Sequence, residues 1–448
     1  MSEEATLDEF VQEKSSEENP EGQGGWSRHP LSKISLWTDA GGTPRTSNND
    51  YWDGDIPWVQ TGELTKRHIR RTQKQITELG LEESAAKRFP PGTLLIGMYG
   101  EPTVGESALL EIEATTNQAC CGVFPDTDIV NAEFLHQMMQ YEKPRLYSLR
   151  AGSGQQNIRQ GIIRKFEIEV PPLSEQRKIA TVLYKIDRAI EKTEEIIEQS
   201  RKVKKGLVQD ILTKGAKEHS EFETYRLGPI DLTKPKDWKL KPFAEFSYRV
   251  QDGPHITPDY VDGGIPFVSS QNVSPFRNSF DYSQYEKYIS EETYEEINQN
   301  CRPEKGDLII SRRATIGPTQ LIRHGEQFGF FVGVAIIKTD DTVHNPFLEQ
   351  LMNWSVMEKL WHLKSPGSTM KTLNLGTIKE QKIPLPSIEE QKAIAEILRS
   401  QDEEIANNER YRESLQRLKQ GLMQDLLSGK VRTTDTNIEV PEEVAQHG

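Results

Sequence analysis

The 448-residue sequence predicts an α+β protein built twice on one plan, each half a mixed globular domain followed by a long helix, with the two helices lying side by side. Three observations predict it: a gapless internal repeat, an apolar stripe at helical spacing within each copy, and short apolar runs punctuated by Gly and Pro in the same order in both halves.

The repeat is the firmest element. Lys165 to Gly215 aligns on Glu380 to Lys430 at an offset of 215 residues, with 17 of 51 positions identical, where ordinary composition would give about three. Shared residues include Pro171/Pro386, Glu175/Glu390, Gln176/Gln391, Asp187/Asp402 and the run Gly206, Leu207, Gln209, Asp210, Leu212 on Gly421, Leu422, Gln424, Asp425, Leu427.

Both copies read as helices. Ile179, Leu183, Ile186, Ile190 and Ile197 recur by threes, fours and one seven, continuing through Val203 and Leu207. The second copy sets out Ile394, Leu398, Ile405, Leu415, Leu418 and Leu422, with Gln401 and Asn408 interrupting the stripe. Ser174 and Ser387 suit N-caps, and Gly215 and Gly429 suit the exits. A helix of about 40 residues is a rod of about 60 Å, and one apolar stripe of that length needs a partner of equal length. The other copy is the matching stripe, so the two are expected to pair.

The globular parts repeat as well. Gly54 to Val59 answers Gly263 to Val268, and Gly92 to Ile96 answers Gly306 to Ile310. Thr93 to Met98, Leu308 to Ser311 and Phe330 to Ile337 read as strands, and Asn131 to Tyr141 and Pro346 to Lys364 as helices. The expected boundaries are an acidic, disordered segment over 1–25, a first domain over 26–164, a first repeated helical region over 165–220, a second domain over 221–379, a second helical region over 380–430 and a disordered tail over 431–448.

Charge does not exclude nucleic acid. The net charge is −14, yet residues 1–25 hold −7 and residues 431–448 hold −3, leaving −4 on everything between. Affinity for a polyanion depends on the cations that touch it, not on the total. The longest apolar run, Phe328 to Ile337, is too short to span a bilayer, and no secretory signal opens the chain, so a cytoplasmic protein without a membrane partner is expected. Cys120, Cys121 and Cys301 offer neither a disulfide framework nor a CxxC pair, and read as packing residues.

Catalytic motifs fail on inspection. Gly100 to Ser107 has phosphate-loop glycine spacing, but Glu106 stands where a lysine must meet the phosphates. There is no N/D-P-P-Y/F tetrad for extracting and methylating a base, and the nine histidines show no HExxH spacing for a metal.

The ordered motifs resemble a known family. GGTP at Gly41 to Pro44 precedes YWDGDIPW at Tyr51 to Trp58; DGPHITP at Asp252 to Pro258 precedes GIPF; and PPLSEQ and PSIEEQ open the two helices. From about Trp26 to Lys430 the chain resembles the specificity subunits of Type I restriction-modification systems.

The resemblance implies two target-recognition domains held by an antiparallel coiled coil, each reading one half of a split, asymmetric site on double-stranded DNA. It implies a non-catalytic chain with no cofactor of its own. Methyltransferase subunits docked on the coiled coil would carry S-adenosylmethionine, and motor-nuclease subunits would carry ATP and Mg. A 60 Å rod caps the half-site separation near about 17 base pairs. Two rival readings are a self-contained DNA-acting enzyme, which the absent motifs disfavour, and a coiled-coil scaffold unrelated to DNA, which the duplicated globular domains disfavour.

Candidate DNA contacts follow from base and phosphate chemistry, with Arg and Lys suited to guanine, Asn and Gln to adenine, and hydroxyls to phosphate. In the first domain these are Arg45, Thr46 and Asn48 before the GDIPW motif, the basic cluster Lys66, Arg67, Arg70 and Arg71 around His68, and the amide-rich Gln155, Gln156 and Asn157. In the second they are His255 and Thr257, the pair Arg312 and Arg313, and Thr369 and Lys371. Trp52 and Trp58 read as core residues. Glu175-Gln176 and Glu390-Gln391 read as helix caps that also present a docking surface, and the duplicated Gly-Leu-x-Gln-Asp-x-Leu as a second partner contact.

Overall fold

The computed structural model describes residues 25–445 except 101, 151–156, 278, 284–285, 300, 326 and 366–370. The acidic segment expected to be disordered falls, but for Gly25, outside the described residues. The chain divides into two compact units, Met1–Lys192 with Arg412–Gly448, and Thr193–Tyr411.

In the first unit a five-stranded sheet runs in the order Ser35–Ala40, Cys120–Pro125, Leu94–Gly97, Ser107–Leu110, His68–Ile69. A smaller sheet centres on Trp52–Val59, antiparallel to Lys74–Ile76 and parallel to Thr115–Thr116. Leu94, Leu95 and Ile96 are buried on both faces, as their uninterrupted apolar run requires. The second unit repeats the plan. Its four-stranded sheet orders Ser247–Asp252, Val334–Thr339, Leu308–Ser311, Thr319–Leu321, and Ile265–Val268 lies parallel to Gly329–Phe330. The hairpin Phe222–Leu227 with Ile230–Pro235 is an addition of the second unit.

Two elements differ from the sequence expectation. The run from Phe330 to Ile337 is two strands in different sheets, because the chain turns where the Val334 N–H donates to the Phe331 carbonyl. The helix expected over Pro346 to Lys364 breaks into Asn345–Met352 and Ser355–Lys364. At the break the Asn353 amide both accepts from the Thr319 N–H (2.9 Å) and donates to its carbonyl (2.7 Å), drawing the chain to the strand edge.

The long helices are Leu173–Lys214 and Ile388–Leu427. Ser174 lies inside the first turn rather than capping it, whereas the Ser387 hydroxyl accepts from the Glu390 N–H. Gly215 and Gly429 leave the helices at φ +91° and +71°, where a side chain would be strained.

Within each unit the start of one long helix runs antiparallel to the end of the other. Ile179 and Leu183 share a core with Leu426 and Leu427, and Ile394 and Leu398 share one with Ile211 and Leu212. Of the stripe, Ile179, Leu183, Ile190, Ile197, Ile394, Leu398 and Leu415 are buried, and Ile186, Leu207, Ile405 and Leu422 are half-buried. Val203 and Leu418 do not belong to it, being more than half exposed.

The tail expected to be disordered after residue 431 is instead folded onto the first unit through residue 445. Val444 is buried in its core, the Asn131 side chain donates to the Val444 carbonyl at 2.8 Å, and Lys178 donates to the Thr433 and Thr434 carbonyls. Its polar composition conceals these few anchors.

Candidate nucleic-acid interface

The two copies carry the same loop edge. In the first unit Gly41 and Gly42 cross the end of the small sheet, and a Cβ on Gly41 would sit 2.3 Å from the Thr116 carbonyl oxygen. In the second, a Cβ on Gly253 would sit 2.0 Å from the Phe330 carbonyl oxygen. Only glycine allows that approach. Thr116 and Phe330 occupy equivalent strands, so the GGTP and DGPH motifs make one loop in two places.

Around the first loop, Trp58 donates its indole N–H to the Gly42 carbonyl at 3.1 Å, and Thr43 bonds to Gln118. Arg45 and Thr46 are exposed, while Asn48 is half-buried and caps the following turn by accepting from the Asp50 N–H. The Met98 N–H donates to the Ala119 carbonyl and the Ile158 N–H to the Met98 carbonyl, which brings Gln118 and Asn157 to the same edge. Gln155 and Gln156 lie outside the described residues. Trp58 is buried, and Trp52 packs edge-on against it at 5.0 Å.

Around the second loop, Arg312 holds three segments together. It pairs with Asp252, donates Nε to the Leu373 carbonyl (2.9 Å) and Nη1 to the Val332 carbonyl (3.3 Å). With only 5% of its surface exposed, Arg312 is a support beneath the edge, which corrects its reading as a surface contact. His255, Thr257 and Lys371 are exposed, and Arg313 bridges to Thr372. Thr369 lies outside the described residues. Gln271, exposed beside the Ser270 hydroxyl that bonds to Gly333, joins this edge and was not singled out from sequence.

The basic cluster belongs elsewhere. Arg67 pairs with Asp187 on the long helix at 2.7 Å; Arg70 pairs with Glu111 at 2.5 Å and Glu191 at 3.6 Å; and Lys66 leans on Glu63 at 3.6 Å. His68 is buried between Glu133 and Glu191. Burial alone would depress its pKa, but hydrogen bonds to the two carboxylates raise it to about 9. Burial likewise opposes ionisation of Glu133, yet His68 holds it down at about 2. Carboxylates distant in sequence thus tie Arg67, His68 and Arg70 toward the long helix and its neighbours, while Lys66, Arg70 and Arg71 remain exposed and Arg67 is half-buried.

Glu175, Gln176, Glu390 and Gln391 are buried, which removes these side chains as a docking surface. Glu175 accepts from the Trp26 indole (3.3 Å) and from Arg432 (2.6 and 2.7 Å). Glu390 accepts from the Trp238 indole (3.2 Å) and contacts His219 (2.8 Å) and Lys217 (3.5 Å). Gln176 accepts from the Asn131 N–H and Gln391 from the His344 N–H, both at 2.8 Å. The repeated Glu-Gln therefore pins each long helix to the domain before it.

The comparisons agree with this architecture. The family described as Type I restriction modification DNA specificity domain matches residues 31–199 and 235–417. The Type I restriction enzyme MjaIX specificity subunit of Methanocaldococcus jannaschii is 24% identical over 414 residues, covering 88% of this chain and 91% of that one. The MjaVIII specificity subunit of the same organism is 27% identical over 317 residues, covering 69% and 72%. The crystal structure of a Type I restriction-modification S subunit from M. genitalium superposes with a TM-score of 0.59 at 14% identity, over 90% of this chain and 96% of that one. The chain belongs to the Type I restriction-modification DNA specificity family, whose members are non-catalytic components of those systems. No helix among the described residues is long and apolar enough to cross a membrane.

Proposed function

We propose that the chain directs a Type I restriction-modification complex to a split, asymmetric DNA site, each domain reading one half through its loop edge. The observation that carries this reading is the recurrence of one glycine-constrained loop, at Gly41 and at Gly253, with different side chains displayed around it. A shared frame with divergent polar residues suits two readers of unlike half-sites. Arg45, Thr46, Gln118 and Asn157 would serve the first half; His255, Thr257, Gln271, Arg313 and Lys371 the second.

The paired helices set the distance between the readers and dock methyltransferase subunits. Gly206, Gln209, Gly421 and Gln424 are exposed, as is Asp210, and Asp425 is half-exposed. A duplicated polar face that no packing explains suits a partner present in two copies. S-adenosylmethionine, ATP and Mg would reside on the methyltransferase and motor-nuclease partners, in the cytoplasm where the DNA is.

The test is co-expression with the methyltransferase subunit and single-molecule sequencing of methylated adenines. A bipartite motif with a fixed gap is expected; methylation at a continuous site would refute the reading.

A further inference from the structure

One arrangement of the long helices occurs twice. In the first unit Asp187, fully buried, accepts from Lys419 on the opposite long helix at 2.8 Å. It also accepts from the Gln137 amide at 2.8 Å and pairs with Arg67 at 2.7 Å. In the second unit Asp402 pairs with Lys204 on the opposite helix and accepts from the Gln350 amide at 2.7 Å. The Lys204 ammonium there lies 4.0 Å from the Phe276 ring. Each node thus gathers both long helices, a domain helix and a domain loop around one Asp–Lys pair.

We infer that the two Asp–Lys nodes fix the register of the antiparallel helices and are positioning residues for the gap between DNA half-sites. As many residues separate Asp187 from Lys204 as separate Asp402 from Lys419, so both pairs satisfy a single register. An apolar seam alone specifies register weakly, since one leucine or isoleucine serves nearly as well as the next. A carboxylate drawn away from solvent does not: Asp187 is fully buried and Asp402 is 17% exposed, and a slip strands at least one of them without its cation. A slip of one heptad in one direction would set Asp187 against Leu426 and Asp402 against Ile211; in the other, Asp187 would meet Arg412 but Asp402 would face Ile197. Such a slip moves one helix by about 10 Å, on the order of three base pairs of DNA.

This inference rests on the proposed split-site reading for its DNA consequence, but register is measurable without DNA. The full chain would carry Arg201→Cys with either Glu409→Cys, which reports the observed register through the 201–409 pair at 2.5 Å, or Gln416→Cys, which reports a heptad slip. A short thiol cross-linker should join only the first combination in the native background. With Asp187, Lys419, Asp402 and Lys204 all changed to Leu, the slipped product should rise at least about tenfold, since hydrophobic replacement of a buried pair keeps the fold and removes its choice of partner. If the slipped product stays absent from that folded variant, the nodes do not set register. Should the leucine variant fail to fold, Asp402→Lys with Lys204→Asp decides. Gln350 can turn its amide to serve the exchanged charges, so the observed register should persist, and slippage would overturn the inference.

In complex with the methyltransferase subunit, the leucine variant should accept split sites whose gap differs by about three base pairs. Slipped cross-links with an unchanged gap would overturn the positioning role. Absence of any split site with the native chain would overturn only the reading beneath it.

Discussion

His68 and Glu133 meet at 2.9 Å with both side chains all but sealed from solvent, and the contact makes the first unit sensitive to pH from two sides. The raised His68 pKa, about 9, contributes stability that is complete below 6.5 and fades as pH climbs from there through 9. Beside it, at 5.7 Å between ring centres, His136 is driven down to about 3 by burial and stays neutral in the fold. Its unfolded counterpart takes up a proton below about pH 6.5, so acid withdraws stability. Glu133, held at about 2, adds a further loss below 4.5. Urea unfolding across pH 4–9 should therefore show the first unit most stable near 6.5. His68→Gln should flatten the alkaline limb and His136→Phe the acid limb.

Arg312 and Lys371 should separate support from contact. Arg312→Ala leaves Asp252 with only the exposed His255 beside it and takes the Arg312 donor from the Val332 and Leu373 carbonyls. It should cost about 3 kcal/mol of second-unit stability in thermal unfolding and abolish binding of the second half-site. Lys371→Ala, on the exposed edge, should leave the melting temperature unchanged. It should lower DNA affinity and reduce the salt dependence of binding by about one counterion.

Glu175→Ala should destabilise the first unit by about 3 kcal/mol, because it strands the Trp26 indole, Arg432 and the Thr433 N–H together. Thermal unfolding would measure it. Glu175→Gln should recover only part, since a neutral amide replaces the charge that Arg432 and the helix start both favour.

Asp210→Lys with Asp425→Lys should cut recovery of the methyltransferase subunit in a pull-down while changing chain stability by no more than about 0.5 kcal/mol. The aspartates pair only with Lys214 and Lys430 among the described residues, and such exposed pairs are weak. Undiminished recovery would assign the duplicated Gly-x-x-Gln-Asp some other role.

Much of the fold was legible because its signals are local. Helical spacing and a gapless repeat survive in any single sequence, and they define the α+β class and its two halves. The candidate interface was less so. Sequence places Lys66, Arg67, Arg70 and Arg71 together but does not show that Glu111, Glu133, Asp187 and Glu191 arrive from elsewhere to meet that segment. Arg312 and Arg313 illustrate a signal that was present. Neighbours in extended chain point to opposite sides, so an adjacent pair at a strand end cannot offer both side chains to one ligand. The Lys204/Lys419 identity was visible in the repeat too, and gained meaning only when Asp402 and Asp187 proved to lie opposite.

The three cysteines are also hidden. Cys120, Cys121 and Cys301 are all buried, and burial pushes the Cys120 and Cys121 thiols up to about 12 and the Cys301 thiol upward as well. So little thiolate at neutral pH leaves the chain silent toward maleimide dyes. A fluorophore pair introduced at Thr46 and Thr257 would then be the bright spots in solution, turning the native chain into an optical ruler.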